Sequence, residues 1–92
     1  MIREAGDRIE ISGAMTLATA RALLDDGSEK LRAGATLFDL SSVQEVDSSG
    51  LTVIFGWRRA AAREGRTIRI VNPPQNLVSL AGLYGVDDLL PL

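Results

Sequence analysis

The stretch Phe38-Asp39-Leu40-Ser41-Ser42-Val43-Gln44-Glu45-Val46-Asp47-Ser48-Ser49-Gly50-Leu51 decides how the rest of the chain is read. Its front end completes an apolar run, Ala35 to Leu40, of the length and composition of a buried strand. Ser41 to Asp47 is polar apart from Val43 and Val46, which predicts a loop. Asp47-Ser48-Ser49-Gly50 has the composition of a helix start, and the helix is predicted over 49–64, stopped by Gly65. Within it Leu51, Ile54, Ala61 and either Phe55 or Arg58 share one face at helical spacing.

The flanking segments have clear periods. Ile2 to Ala5 reads as a short strand, Ala5-Gly6-Asp7 as a hairpin turn, and Arg8 to Gly13 alternates polar and apolar like a half-buried strand. Thr16 is the expected N-cap of a first helix. Its stripe is Leu17, Ala20, Leu23, Leu24 and Leu31, and it ends at Gly34. Asp26-Gly27-Ser28 predicts a kink or a frayed turn inside it. Beyond the second helix, Thr67 to Val71 alternates again. Pro73-Pro74 then opens a third helix carrying Leu77, Val78, Leu80, Ala81 and Leu83. Leu89 to Leu92 is expected to add a very short edge strand. The order β-β-α-β-α-β-α predicts an α/β fold, a mixed and mostly parallel sheet of about four or five strands with three helices mainly on one face.

Composition removes many functions. The 92 residues fit one small domain, and 46% hydrophobic with 24% charged residues is ordinary globular usage. The chain has no cysteine and no histidine, which excludes disulfides, thiolate or imidazole metal ligands, thiol nucleophiles and a Ser-His-Asp triad. The net charge of −2 argues against a nucleic-acid surface. The longest apolar run, Val53 to Trp57, is far short of the roughly 18 residues of a membrane span, and the N-terminus lacks the apolar centre of a secretory signal. No direct membrane insertion is expected, and the location is expected to be cytoplasmic. No phosphate-binding loop is present. Glu45 and Asp47 read as turn and cap residues, because two carboxylates alone make a poor magnesium site. No cofactor is expected.

Ser48 is the residue of most interest. The first turn of a helix offers unpaired N–H groups and partial positive charge, so Asp47 or Ser48 caps it, and a phosphate on Ser48 would gain the same donors. Trp57, the only tryptophan, reads either as core or as an interface anchor beside Thr52 and Phe55. Arg58, Arg59, Arg63 and Arg66 form a basic cluster, read as a solvated helix face or as a docking point for an acidic partner. Tyr84 is expected to pack on the sheet with its hydroxyl in water.

Asp39-Leu40-Ser41-Ser42-Val43 followed by Val46-Asp47-Ser48-Ser49-Gly50-Leu51 resembles the signature of STAS domains, the sulphate-transporter and anti-sigma-factor-antagonist family. The resemblance extends through Ala60, Gly65, the strand Thr67 to Val71 and Leu80-Ala81-Gly82-Leu83. It implies the STAS fold, a single domain over residues 1–92 and no catalysis by the domain itself.

Two bacterial branches of the family are implied. One is the small cytoplasmic subunit of the Mla-type phospholipid-transport ABC complex, which docks on the ATPase subunit at the inner membrane and supports its assembly or activity. The other is an anti-sigma factor antagonist, switched when a partner serine kinase phosphorylates the residue matching Ser48. Leu80-Ala81-Gly82-Leu83-Tyr84-Gly85-Val86 with Leu89-Leu90-Pro91 resembles the ending of the transporter subunits, and the domain is expected to lack the usual C-terminal helix of antagonists. Gly13-Ala14-Met15-Thr16 departs from the Gly-Glu-Leu-Asp common in antagonists. The expected partner surface is Glu45, Asp47, Ser48, Ser49, Gly50, Leu51, Thr52, Phe55 and Trp57, with Ser48 as central contact, Asp47 holding the loop, and Gly50 and Leu51 setting close approach. In isolation such an unpaired surface allows a homodimer.

Overall fold

Alternation along Arg8–Met15 puts Ile9, Ile11 and Met15 on one buried face and leaves Glu10 and Ser12 half-exposed on the other. That apolar face organises the molecule. The computed structural model describes residues 1–92. The strands are β1 (Ile2–Ala5), β2 (Arg8–Met15), β3 (Leu37–Val46) and β4 (Arg69–Val71). The helices are α1 (Ala20–Arg32), α2 (Ser48–Arg63) and α3 (Gln75–Leu83), followed by a short 3-10 turn at Asp87–Leu89. The sheet order is β1-β2-β3-β4, with β1 antiparallel to β2 and the two remaining pairs parallel. The expected mixed sheet therefore has four strands. Buried residues of all three helices join Ile9, Ile11, Phe38, Leu40 and Ile70 in one core.

Of the expected loop at 41–47, all but Asp47 is strand. β3 runs on to Val46, and the polar residues that looked like a loop lie at two bulges. Between the pairs Glu10↔Asp39 and Ser12↔Ser42, β2 advances two residues and β3 three. Between Gly13↔Val43 and Ala14↔Glu45, β2 advances one and β3 two. Each extra residue shifts the side-chain phase, so Ser41 and Ser42 are both exposed and Val43 is buried again. A period-2 search cannot follow a strand that changes phase twice.

The first helix also starts later than expected. Thr16 to Thr19 is a turn: Thr19 N–H donates to the Thr16 carbonyl at 3.0 Å, and Thr19 Oγ1 accepts from Thr16 N–H at 3.0 Å. Thr19 is the N-cap. Leu17 therefore lies outside the helix and is 79% exposed. At the C-terminus, Ile70 N–H donates to the Pro91 carbonyl at 2.7 Å, but Leu90 to Leu92 form no strand. The expected edge strand is a capping segment on β4.

Asp26-Gly27-Ser28 neither kinks nor frays α1. Gly27 is buried inside a continuous helix, and a Cβ built there would lie 2.0 Å from Trp57 Nε1. The glycine is a notch for the indole. Trp57 stacks on Phe38 with ring centroids 4.5 Å apart and donates its N–H to the Leu23 carbonyl at 3.0 Å.

The opposite face of the sheet has its own fastening. Asp39 is buried and accepts from Ser41 N–H at 2.9 Å, Arg8 Nη1 at 2.9 Å and Asn72 Nδ2 at 3.1 Å. Asn72 holds a left-handed conformation, φ 55°, that asparagine tolerates better than most residues. The Ser41 N–H holds the Asp39 carboxyl far below the usual carboxylate range. Asn72, the Ser41 hydroxyl and Arg8 add to this against the opposing effect of burial.

Gly27→Ala, a change that normally strengthens a helix, should here cost about 2 kcal/mol through overpacking, read as a lower urea midpoint. Asp39 binds its proton more weakly folded than unfolded, so its contribution is complete above the ordinary carboxylate value of about 4 and lost as pH falls below it. Urea midpoints should drop between pH 7 and pH 3, and Asp39→Asn should show a smaller drop from an already lower value.

Candidate functional site

β3 delivers Asp47 to the start of α2, and this carboxylate performs two tasks. Its Oδ1 accepts from Ser49 N–H at 2.8 Å, capping the helix, and its Oδ2 accepts from Leu17 N–H at 3.2 Å in the loop before α1. The Ser49 N–H, followed by the Leu17 N–H and the Ser49 hydroxyl, holds the Asp47 carboxyl below its ordinary value. Asp47 N–H itself donates to the Met15 carbonyl at 3.2 Å. The end of β2, the loop after it and the start of α2 thus form one fastened unit.

Gly50 belongs inside this unit. A Cβ there would lie 2.7 Å from Val46 Cγ2 and 3.2 Å from the Met15 carbonyl oxygen. The close approach expected at this glycine is that of α2 to the end of β2 and to Val46 of β3. Leu51 is buried in the core and forms the floor of a shallow groove. Trp57 is 0% exposed, so of its two readings core holds, and it drops out of the expected partner surface. The spacing Ile54, Trp57, Ala61 is itself helical, and all three are buried.

The remaining expected contacts do reach the surface. Glu45, Ser48 and Thr52 are exposed, and Asp47, Ser49 and Phe55 are half-buried. Ser48 occupies the first position of α2. Ser48, Thr52 and Phe55 line a groove of about 370 Å³ whose other wall is Tyr84 and Val86. Tyr84 is 57% exposed, so it is not packed on the sheet as expected; it stands beside α2. Leu17, tied through its amide to Asp47, adds an exposed aliphatic side chain close by. Sequence reasoning left Leu17 and Tyr84 out of the surface. Their signal is indirect: a leucine caught in a turn before a helix, and an aromatic just past a helix end.

The arginine cluster divides. Arg58, Arg59 and Arg63 are exposed on α2, whereas Arg66 is half-buried and donates to the Leu31 carbonyl, tying the end of α2 to α1. No three carboxylate or other ligating side chains converge on a metal-sized site. No helix is long and apolar enough to cross a membrane. What this site offers is a firm surface with a hydroxyl cluster, two aromatic rings and a leucine, suited to contact with another protein.

A family model described as MlaB, STAS domain, matches residues 2–91. The chain belongs to the MlaB-type STAS family. The intermembrane phospholipid transport system binding protein MlaB of Haemophilus influenzae is 35% identical over 51 residues, 55% of this chain. The match covers 49% of that relative, so the chain spans about half of its length. Among solved structures, an anti-sigma factor antagonist candidate from Thermotoga maritima superposes with TM-score 0.73 at 18% identity, covering 98% of this chain and 81% of that one. The unphosphorylated anti-sigma factor antagonist SpoIIAA gives 0.65 at 15% identity, covering 90% and 81%. The phosphorylated Bacillus SpoIIAA gives 0.63 at 15%, covering 98% and 86%. At these identities the likeness is one of fold, the STAS fold expected from the signature.

Burial of the STAS domain's single tryptophan is directly observable. Its emission should be blue-shifted and insensitive to iodide in the folded protein, and should move to the red on urea unfolding. Iodide quenching of the native protein comparable to that of the unfolded chain would place the indole outside the core.

Proposed function

We propose that this STAS domain is a non-catalytic subunit that docks through the Ser48 end of α2 on the ATPase of a phospholipid-transport ABC complex and supports its assembly or activity. The observation that carries this reading is the groove of Ser48, Thr52, Phe55 and Tyr84, set on a helix start that Asp47 fastens in place. The similarity to the Haemophilus protein, whose name places it in an intermembrane phospholipid transport system, supports the transport reading, and the family resemblance implies the ATPase as partner. The absence of histidine and cysteine, and the structural use of Asp39 and Asp47, support a role in binding rather than catalysis.

Docking works here by preorganisation. The groove lies on helices held by the core, so little ordering entropy is lost when a partner closes over it. Ser48 supplies the central hydrogen-bonding group. Phe55 and Tyr84 supply buried area, Thr52 lines the groove with them, and Glu45 and Ser49 flank Ser48 and Asp47 along the chain. The protein acts on the cytoplasmic side of the inner membrane and is held there by its partner. Without that partner, the same surface favours a homodimer.

The exposure of Ser48 also keeps the antagonist reading open, in which a serine kinase modifies this hydroxyl and adds nearly two negative charges. One experiment separates the two. The tagged protein is purified from its own cells, its partners are identified, and the mass of its Ser48 peptide is measured. An ABC ATPase with unmodified Ser48 is the expected result. A serine kinase, or a phosphorylated peptide, replaces the transporter reading with the switch. Ser48→Glu should cost about 2–5 kcal/mol of ATPase affinity by burying an unpaired charge, while Ser48→Ala costs far less. Equal capture of the ATPase by wild type and Ser48→Glu would sink Ser48 as the central contact.

A further inference from the structure

The exposed face of α2 does not end at Phe55. Three depressions follow one another along it. The first is the groove of Ser48, Thr52, Phe55 and Tyr84. The second is lined by Phe55, Arg58, Arg59 and Ala62. The third, about 350 Å³, lies between α1 and α2, with Arg32, Arg59 and Arg63 among its walls and Asp25 and Ser28 beside them. Phe55 is shared by the first two and Arg59 by the last two, so the three make one continuous track. Along it the chemistry changes from hydroxyl and aromatic groups to guanidinium groups.

The arginines of this track are uncommitted. Arg32, Arg58, Arg59 and Arg63 take part in none of the ion pairs, whereas Asp25 already holds Arg21 at 3.1 Å. In a chain of net charge −2 this is a local inversion of sign. Complementing the helix dipole accounts for Arg32 and Arg63, which sit in the last turns of α1 and α2. It does not account for Arg58 or Arg59, a turn earlier. Arg59 and Arg63 are four residues apart and present their guanidinium groups on one side of the helix.

We propose that this track binds an acidic peptide segment of the protein that docks at Ser48, lying along α2 with its carboxylates against Arg59, Arg63 and Arg32. The proposal rests on the docking reading above and adds the chemistry of the partner's segment. Guanidinium groups on both walls of a groove suit a chain-like ligand that can enter it and be gripped by paired N–H···O contacts. A bilayer is flat and meets only the rims, and the exposed apolar side chains Leu17 and Tyr84 stand at the other end of the track.

The test uses the full chain, isotope-labelled, titrated at low salt with a synthetic hexaglutamate peptide and followed by amide and arginine side-chain NMR shifts. Saturable shifts at Arg32, Arg59 and Arg63 are expected, with none from hexalysine. The double variant Arg59→Gln/Arg63→Gln should bind about tenfold more weakly and with a shallower salt dependence. Both positions are exposed, so the variant should fold; an unchanged urea midpoint checks this. The peptide assay contains no ATPase, so it reads the acidic-segment site apart from the Ser48 contact, and a failed ATPase assay leaves the peptide result standing on its own. In the assembled complex, the double variant should also weaken ATPase binding about tenfold. Absent shifts, shifts that survive the double variant, or stronger shifts of the same residues from inorganic phosphate or phosphatidylglycerol vesicles would each overturn the peptide assignment.

Discussion

The indole of Trp57 seated against Gly27 is the contact on which the remaining geometry depends. It joins three elements at one point: it stacks on Phe38 of β3, donates to the Leu23 carbonyl of α1, and belongs to α2. The contact sets the roll of α2. With Ile54, Trp57 and Ala61 turned inward, Ser48, Thr52, Arg59 and Arg63 must face outward, because helix positions three and four apart share a side. A one-residue change of phase would rotate the helix by about 100° and bury charged or hydroxyl groups at a cost the small core could not offset. The buried indole N–H adds to this, since it must find an acceptor and the Leu23 carbonyl is at hand.

Two carboxylates extend this order to the ends of the strands. Asp47 ties the start of α2 to the loop before α1, and Asp39 ties β3 to β2 and to the residue after β4. Both accept backbone N–H groups, and both are held ionised below the ordinary carboxylate range. They serve structure. They fasten the start of α2 and the ends of the strands through hydrogen bonds, the preorganisation on which the proposed docking relies.

Much was legible in the chain before folding. The two-residue hairpin at Gly6-Asp7, the crossover helices and the start of α3 after Pro73-Pro74 all follow local chemistry. The signature around Ser48 identified the family, and the match over residues 2–91 agrees with it. The errors have physical causes. The second half of β3 looked like a loop because two bulges broke its alternation. Thr16 looked like the helix start because the turn from Thr16 to Thr19, closed by the Thr19 hydroxyl on the Thr16 N–H, delays the helix by three residues. Leu17 looked like a core residue because helical spacing was extended across that turn.

Periodicity, turn residues and the charge on the chain are local properties, and the sequence by itself determined them: the element order, the one apolar side of the sheet, and the absence of thiol and imidazole chemistry. What lies across the fold from a residue is not local. Gly27 read as a break and Trp57 as a possible anchor because each was seen without the other, 30 positions away. Gly50 read as room for close approach of backbone or partner, and only the fold brought Met15 and Val46 into that space. Tyr84 joined the Ser48 groove, and Arg32 met Arg59 and Arg63, only when the chain brought distant segments side by side. Tertiary structure alone decided these pairings, because van der Waals contact and ion pairing act over a few ångströms of space, whatever the separation along the chain.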